Sequence, residues 1–278
     1  MSVVTEEPTG APAVGPPPAA SEIGPIRAFV AVLGRDCFVT GRELPIFLAQ
    51  VVLQPLFLLF VFGKILTDLG YAQHGYAQVL FPGLVALAAV LTGLQSTALP
   101  LVLEFSFTNE IEDRLLAPLP LGLVAIEKII FASLRALIAS GVMFPVGIWI
   151  LGGIPWHNST APAAIAVLVL GALVGSALGL MLGTLVPPNR INIMFALILT
   201  PLLFTGASQY PWPSLVHLRW FQVVTALNPL TYVSEGLRGA MTPQVAHIHP
   251  WICLVVLAGA TIVLSGIGMW GFFRRALG

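Results

Sequence analysis

The chain has 278 residues, 57% of them hydrophobic and only 9% charged, and its mean hydropathy is +0.95. That apolar share exceeds the roughly 45–50% of ordinary soluble domains, which excludes a soluble globular protein. The 12 basic and 12 acidic residues cancel, so no charge excess argues for nucleic acid as a partner. The apolar runs are long and unalternating, whereas a membrane β-barrel needs alternating segments of about 10 residues. The expected fold class is therefore all-α: a polytopic bundle whose transmembrane helices each use about 20 apolar residues to cross a hydrocarbon core of about 30 Å.

Residues 1–22 are rich in Pro, Ala and Gly and lack the basic start and apolar core of a secretory signal, so they are expected to be a disordered tail. From Ile23 to Glu43, Ile26, Phe29, Val30 and Leu33 recur at helical spacing among Arg27, Arg35, Asp36, Arg42 and Glu43. That pattern predicts an amphipathic helix in the membrane interface; a plain juxtamembrane linker is the alternative. Six spans follow, at about 44–66, 79–103, 125–151, 163–186, 191–207 and 251–273. Pro55 marks a kink in the first.

Six crossings put both termini on one side. Arg27, Arg35, Arg42, Arg114, Lys128, Arg190, Arg274 and Arg275 fall near that side, against Lys64, Arg219 and Arg238 near the other. The positive-inside rule then assigns both termini to the cytoplasm of a multi-pass cell-membrane protein. The stretch between spans five and six is too apolar for a free loop and too broken for a span. Re-entrant or interfacial half-helices fit it, with a turn at Asn228 and Pro229.

Chemistry-bearing motifs are sparse. The chain has no GxxxxGK[ST] loop, no HExxH and no paired-cysteine motif, so no metal site is expected. Cys37 and Cys253 are far apart and read as small hydrophobes. His247 and His249 read as a solvated loop, and the glycosylation-like tripeptide at Asn158 is short enough to arise by chance. Arg135 is the one ionisable side chain expected deep in a span, on the helical face of Glu127, Lys128 and Phe131 and about 10 Å from Lys128. Facing a translocation path and snorkelling to the cytoplasmic interface are both open to it. Gln54, Gln95 and Asn192 are further polar residues that suit either a path or helix packing. Gly171, Gly175, Gly179 and Gly183, four apart, predict a close helix contact, within the chain or between copies.

The segment after span two concentrates charge: Glu104, Glu110, Glu112, Asp113 and Arg114. Asn109 and Glu112 have capping-box spacing, Glu110 and Arg114 are four apart in the favourable order, and Pro118 sets the end. A short cytoplasmic helix follows from that reading, with a capped loop as the bland alternative.

With Glu112, Arg114, Leu115, Leu116, Pro118 and Lys128 in order here, and Pro229, Leu230, Tyr232, Glu235 and Arg238 ahead of span six, the chain resembles the ABC-2 type transporter permeases. These are membrane subunits of drug-efflux, antibiotic-resistance and polysaccharide or lipid exporters. The resemblance covers residues 23–278 as one transmembrane domain. It implies that the segment after span two is a coupling helix docking on a separate ATP-binding subunit through Glu104, Glu110, Glu112, Asp113 and Arg114, with Arg35 and Arg42 contributing from the N-terminal helix. It also implies a second permease copy, contact with membrane lipids, no cofactor in this chain, and ATP and magnesium held by the partner ATPase. The permease itself is then no enzyme. A stand-alone secondary transporter or channel is the rival; it needs an intramembrane carboxylate or an inverted repeat, and the sequence offers neither.

Overall fold

A computed structural model describes residues 24–71, 75–104, 120–156, 158–187 and 190–277. The expected tail over 1–22 and the charged segment at 105–119 lie outside the described residues. The described elements are helical: α1 (Pro25–Leu58), α2 (Tyr76–Leu103), α3 (Leu121–Leu151), α4 (Ala161–Leu185), α5 (Ile191–Thr205), α6 (Arg219–Ala226), α7 (Pro229–Met241) and α8 (Pro250–Leu277), with short 3-10 turns between some of them. α1 widens into a π-helical stretch at Leu59–Ile65, and a last helical turn ends at Asp68.

Among the described residues, five stretches are long and apolar enough to cross a membrane: Pro45–Asp68, Tyr76–Leu103, Leu121–Leu151, Asn158–Leu185 and Pro250–Ala276. They match five of the six expected spans. The stretch expected as span five is instead a helix of 15 residues, α5. At 1.5 Å per residue it is about 22 Å long, short of the roughly 30 Å of a hydrocarbon core. A second difference concerns the N-terminal helix, which is continuous with span one through Pro45 rather than separate from it. A proline already has helical φ, so its cost inside a helix is mainly one lost hydrogen bond and some crowding of the preceding turn.

The bundle has a centre and a rim. Buried residues make up 83% of the apolar window of α2 and 67% of that of α4, against 28% for span one and 17% for α8. The glycine stripe explains the central pair. A Cβ on Gly175 would stand 2.4 Å from the Val90 carbonyl oxygen, and one on Gly179 would stand 2.4 Å from that of Leu94. From the other side, a Cβ on Gly93 would meet the Ala172 carbonyl oxygen at 2.9 Å. The stripe therefore seats α4 on the backbone of α2 within one chain. Ser133 and Ser176 bond across the α3–α4 contact at 3.1 Å, a polar tie beside the apolar packing.

Between α5 and α8 the chain forms the short helices that the mixed polarity of 208–250 suggested. Asn228 caps α7, its Oδ1 accepting from the Leu230 amide at 2.9 Å, and Pro229 occupies the first helical turn, where its missing N–H costs nothing. The Asn228 amide also donates to the Leu202 carbonyl and to Thr205 Oγ1, each at 2.9 Å. The expected turn at Asn228 and Pro229 is thus also the joint that fastens α7 to the end of α5.

Candidate functional site

At one end of the bundle, α2 and α3 are locked to each other. Glu104 follows the last turn of α2, Lys128 lies two turns into α3, and the Lys128 ammonium donates to Glu104 Oε1 at 2.5 Å. Both residues are buried. The pair ties together α2 and α3, the helices on either side of residues 105–119 in the chain. Glu127, one residue away, is buried as well. The N-terminal helix packs against α3, and partial burial, with the carboxylates of Asp36 and Glu127, raises the Cys37 thiol above its ordinary pKa. Both cysteines are free, and a thiol pushed in that direction is a poor nucleophile.

The other residues expected at the coupling surface divide. Glu110, Glu112, Asp113 and Arg114 lie outside the described residues. Arg35 is exposed on α1, 3.3 Å from Asp36; an exposed pair of this kind contributes little to stability. Arg42 lies on the same helix, its side chain outside the described residues.

Of the four residues expected on a path, two come together. Gln54 of α1 and Gln95 of α2 line a cleft of about 120 Å³ with Leu91, Leu199, Thr200, Leu203 and Phe204. Arg135 is elsewhere. Its guanidinium lies over the Phe47 ring of α1, 3.9 Å from the centroid, with Phe131 at 5.8 Å. That contact is a cation–π bridge between α1 and α3. Asn192 is in the first turn of α5, its side chain outside the described residues.

At the opposite end, the one to which position assigns Arg238, is a polar centre: Arg238 is fully buried, as is Glu235. They pair one turn apart on α7. Arg238 also donates from Nε to the Val79 carbonyl of α2 at 3.3 Å and from Nη2 to the Ala207 carbonyl at 3.1 Å. Glu235 accepts the Trp212 amide at 2.9 Å on Oε1 and the Ile248 amide at 3.0 Å on Oε2. One ion pair thus fixes α2, the chain after α5 and the approach to α8. Ala207 has φ of 49°, a left-handed conformation that costs a non-glycine residue about 1–2 kcal/mol; the Arg238 bond to its carbonyl holds it there. The i,i+3 spacing of Glu235 and Arg238 was the available signal, since a buried charge persists when it is paired and fully hydrogen-bonded.

Long apolar helices packed around a glycine seam define a multi-pass membrane protein. Residues 27–242 match the ABC-2 type transporter family, and the chain belongs to that family. It is similar to the "Putative transport permease ycf38" of Cyanophora paradoxa, 28% identical over 217 residues that cover 74% of this chain and 72% of that protein. The protein of the same name from Porphyra purpurea is 28% identical over 218 residues, covering 75% and 72%. The family is one of transport membrane subunits, and it implies an ATP-binding cassette partner in general terms.

Proposed function

We propose that this chain is the permease subunit of an ATP-binding cassette exporter, driven by a separate ATPase and carrying a hydrophobic or amphipathic cargo out of the cell. The observation that carries the reading is the Glu104–Lys128 clamp. A push delivered to residues 105–119 acts on α2 and α3 as a unit, and α2 is the most buried of the five stretches long enough to span. Force entering there is passed through the glycine seam to α4 and, through Val79 and Arg238, to α7. Glu110, Glu112, Asp113 and Arg114 are the docking residues in this reading, with Glu104 supporting them from behind and Arg35 and Arg42 contacting the same ATPase.

Both termini are cytoplasmic, and α5 with residues 206–208 makes the fifth of six crossings. Contacts support that count: Leu199 and Leu203 line the cleft with Leu91 and Gln95, while Ser208 packs on Gly83 one helix end further along. Residues 212–241 are re-entrant half-helices. Two permease copies face each other across the exposed side of α1 and α5, where Ile46, Leu53, Phe57, Ile193, Leu197 and Phe204 are unburied, and cargo moves between them past Gln54 and Gln95. Coupling requires that the ATPase bind the two access states unequally, since a partner that binds both alike shifts nothing.

The stand-alone transporter reading gains little from the buried carboxylate of Glu235. That group is paired with Arg238 and accepts two further backbone bonds, which is the signature of a fixed structural charge. Co-expression tests the exporter reading. An ATP-binding cassette subunit encoded beside this chain is expected to co-purify with it, and retention is expected to fall at least tenfold when Glu110, Glu112 and Asp113 are replaced by Lys. Purification of the wild-type permease free of any such subunit contradicts the proposal.

A further inference from the structure

A cleft of about 770 Å³ opens at the end of the bundle opposite Glu104 and Lys128, between the end of span one, the start of α2 and the loops around 209–211 and 242–245. Its volume falls in the range of pockets that hold small organic ligands. The lining has two components. Phe62, Tyr76 and Tyr210 supply aromatic surface, and Gln78, Gln209 and Gln244 supply primary amides.

The tyrosines are held in place. Tyr76 donates to the Gln209 carbonyl at 2.9 Å and Tyr210 to that of Phe204 at 2.6 Å, so their rings are fixed parts of the wall. Burial pushes the Tyr210 hydroxyl above its ordinary pKa, which keeps it neutral at physiological pH. Among the described residues, no Asp, Glu, Lys or Arg lines the cleft. The charges around it are paired: Arg238 with Glu235 behind Val79, and Lys64 with Asp68 at 3.3 Å beside Gly75 and Gln78. A charged ligand would leave its water shell here without a counter-charge, which is costly in a partly buried site. A neutral molecule with hydroxyl or carbonyl groups finds amides that both donate and accept, and aromatic surface for its apolar part.

We propose that this cleft binds an uncharged amphipathic molecule and so selects by charge the cargo of the exporter proposed above. The first half stands on the cleft alone; the second rests on the exporter reading. Equilibrium dialysis of the full chain in nanodiscs tests it, with empty nanodiscs correcting for partition into lipid. The probes are 4-nitrophenyl β-glucoside and 4-nitrophenyl β-glucuronide, which differ by a carboxylate in place of a hydroxymethyl group.

The glucoside is expected to bind at least tenfold more tightly than the glucuronide. Gln78→Leu combined with Gln244→Leu, both at exposed positions, is expected to weaken glucoside binding at least tenfold with the thermal midpoint unchanged. Gln244→Arg is expected to raise glucuronide binding toward that of the glucoside. Equal affinity for the two probes, no saturable glucoside binding, or indifference to the glutamine changes overturns the proposal. The isolated permease is enough for this measurement. Charge-selective binding without any ATPase partner leaves the cleft assignment standing and removes the exporter reading; an ATPase-coupled permease without such binding does the reverse.

Discussion

Replacing Arg238 by Met is expected to destabilise the protein by about 3–5 kcal/mol, because it strands the Glu235 carboxylate in the interior. Both side chains are fully buried, so water cannot take over the lost partner. The loss spreads beyond the pair. Arg238 also holds the Val79 and Ala207 carbonyls, and without it the left-handed turn at Ala207 is no longer fastened. Glu235→Gln with Arg238→Met removes both charges and keeps one amide oxygen, which can accept from Trp212 or from Ile248 but not from both in their present places. That double variant is expected to recover part of the loss, in line with the lower cost of removing a buried pair than of breaking one. Thermal unfolding in nanodiscs with Arg274→Ala as an exposed control measures this; a single variant no less stable than the double one contradicts it.

The second large effect is expected at the glycine seam. Gly175→Leu places a side chain where even a Cβ would stand 2.4 Å from the Val90 carbonyl oxygen, so α2 and α4 must separate. Overpacking of a close-packed core costs about 1–3 kcal/mol where neighbours can yield. Here the obstacle is backbone, and the cost is expected at the upper end or beyond. Gly141→Ala on α3 is the matched control, since a Cβ there meets nothing within 4 Å. It is expected to be neutral or stabilising by about 0.5–1 kcal/mol, the usual gain of Ala over Gly inside a helix. Equal thermal midpoints for the two variants would show that the seam is not tight.

The sequence carried the long helices and the seam because both are written in local periodicity. Runs of about 20 apolar residues mark α2, α3, α4 and α8, and four glycines at a spacing of four mark the close-packed face of α4, where Gly175, Gly179 and Gly183 meet α2 and Gly171 meets Val233 of α7. The joint at Asn228 was legible for the same reason, since a capping side chain and a proline at the first turn are local signals. What failed depended on tertiary context. Pro45 looked like the start of a new helix and is an interior residue of α1. Arg238 was counted with the charges at the end opposite Lys128 and lies there; what the sequence did not disclose is its burial, which comes from α2, α4 and α8 packing on α7, and no window of the sequence contains that packing. The expected path residues divided on similar grounds. Gln54 and Gln95 meet because α1 and α2 lie side by side there, while Arg135 turns to the Phe47 ring.

The central claim is that residues 104–114 transmit the ATPase stroke to the clamped ends of α2 and α3. Its most direct test is ATP hydrolysis by the assembled complex carrying Glu112→Arg and Arg114→Glu, with membrane insertion and the thermal midpoint of the permease checked alongside. The account predicts that cargo-stimulated hydrolysis and transport fall to the unstimulated level while insertion and stability are unchanged. Undiminished stimulation in that double variant would contradict it.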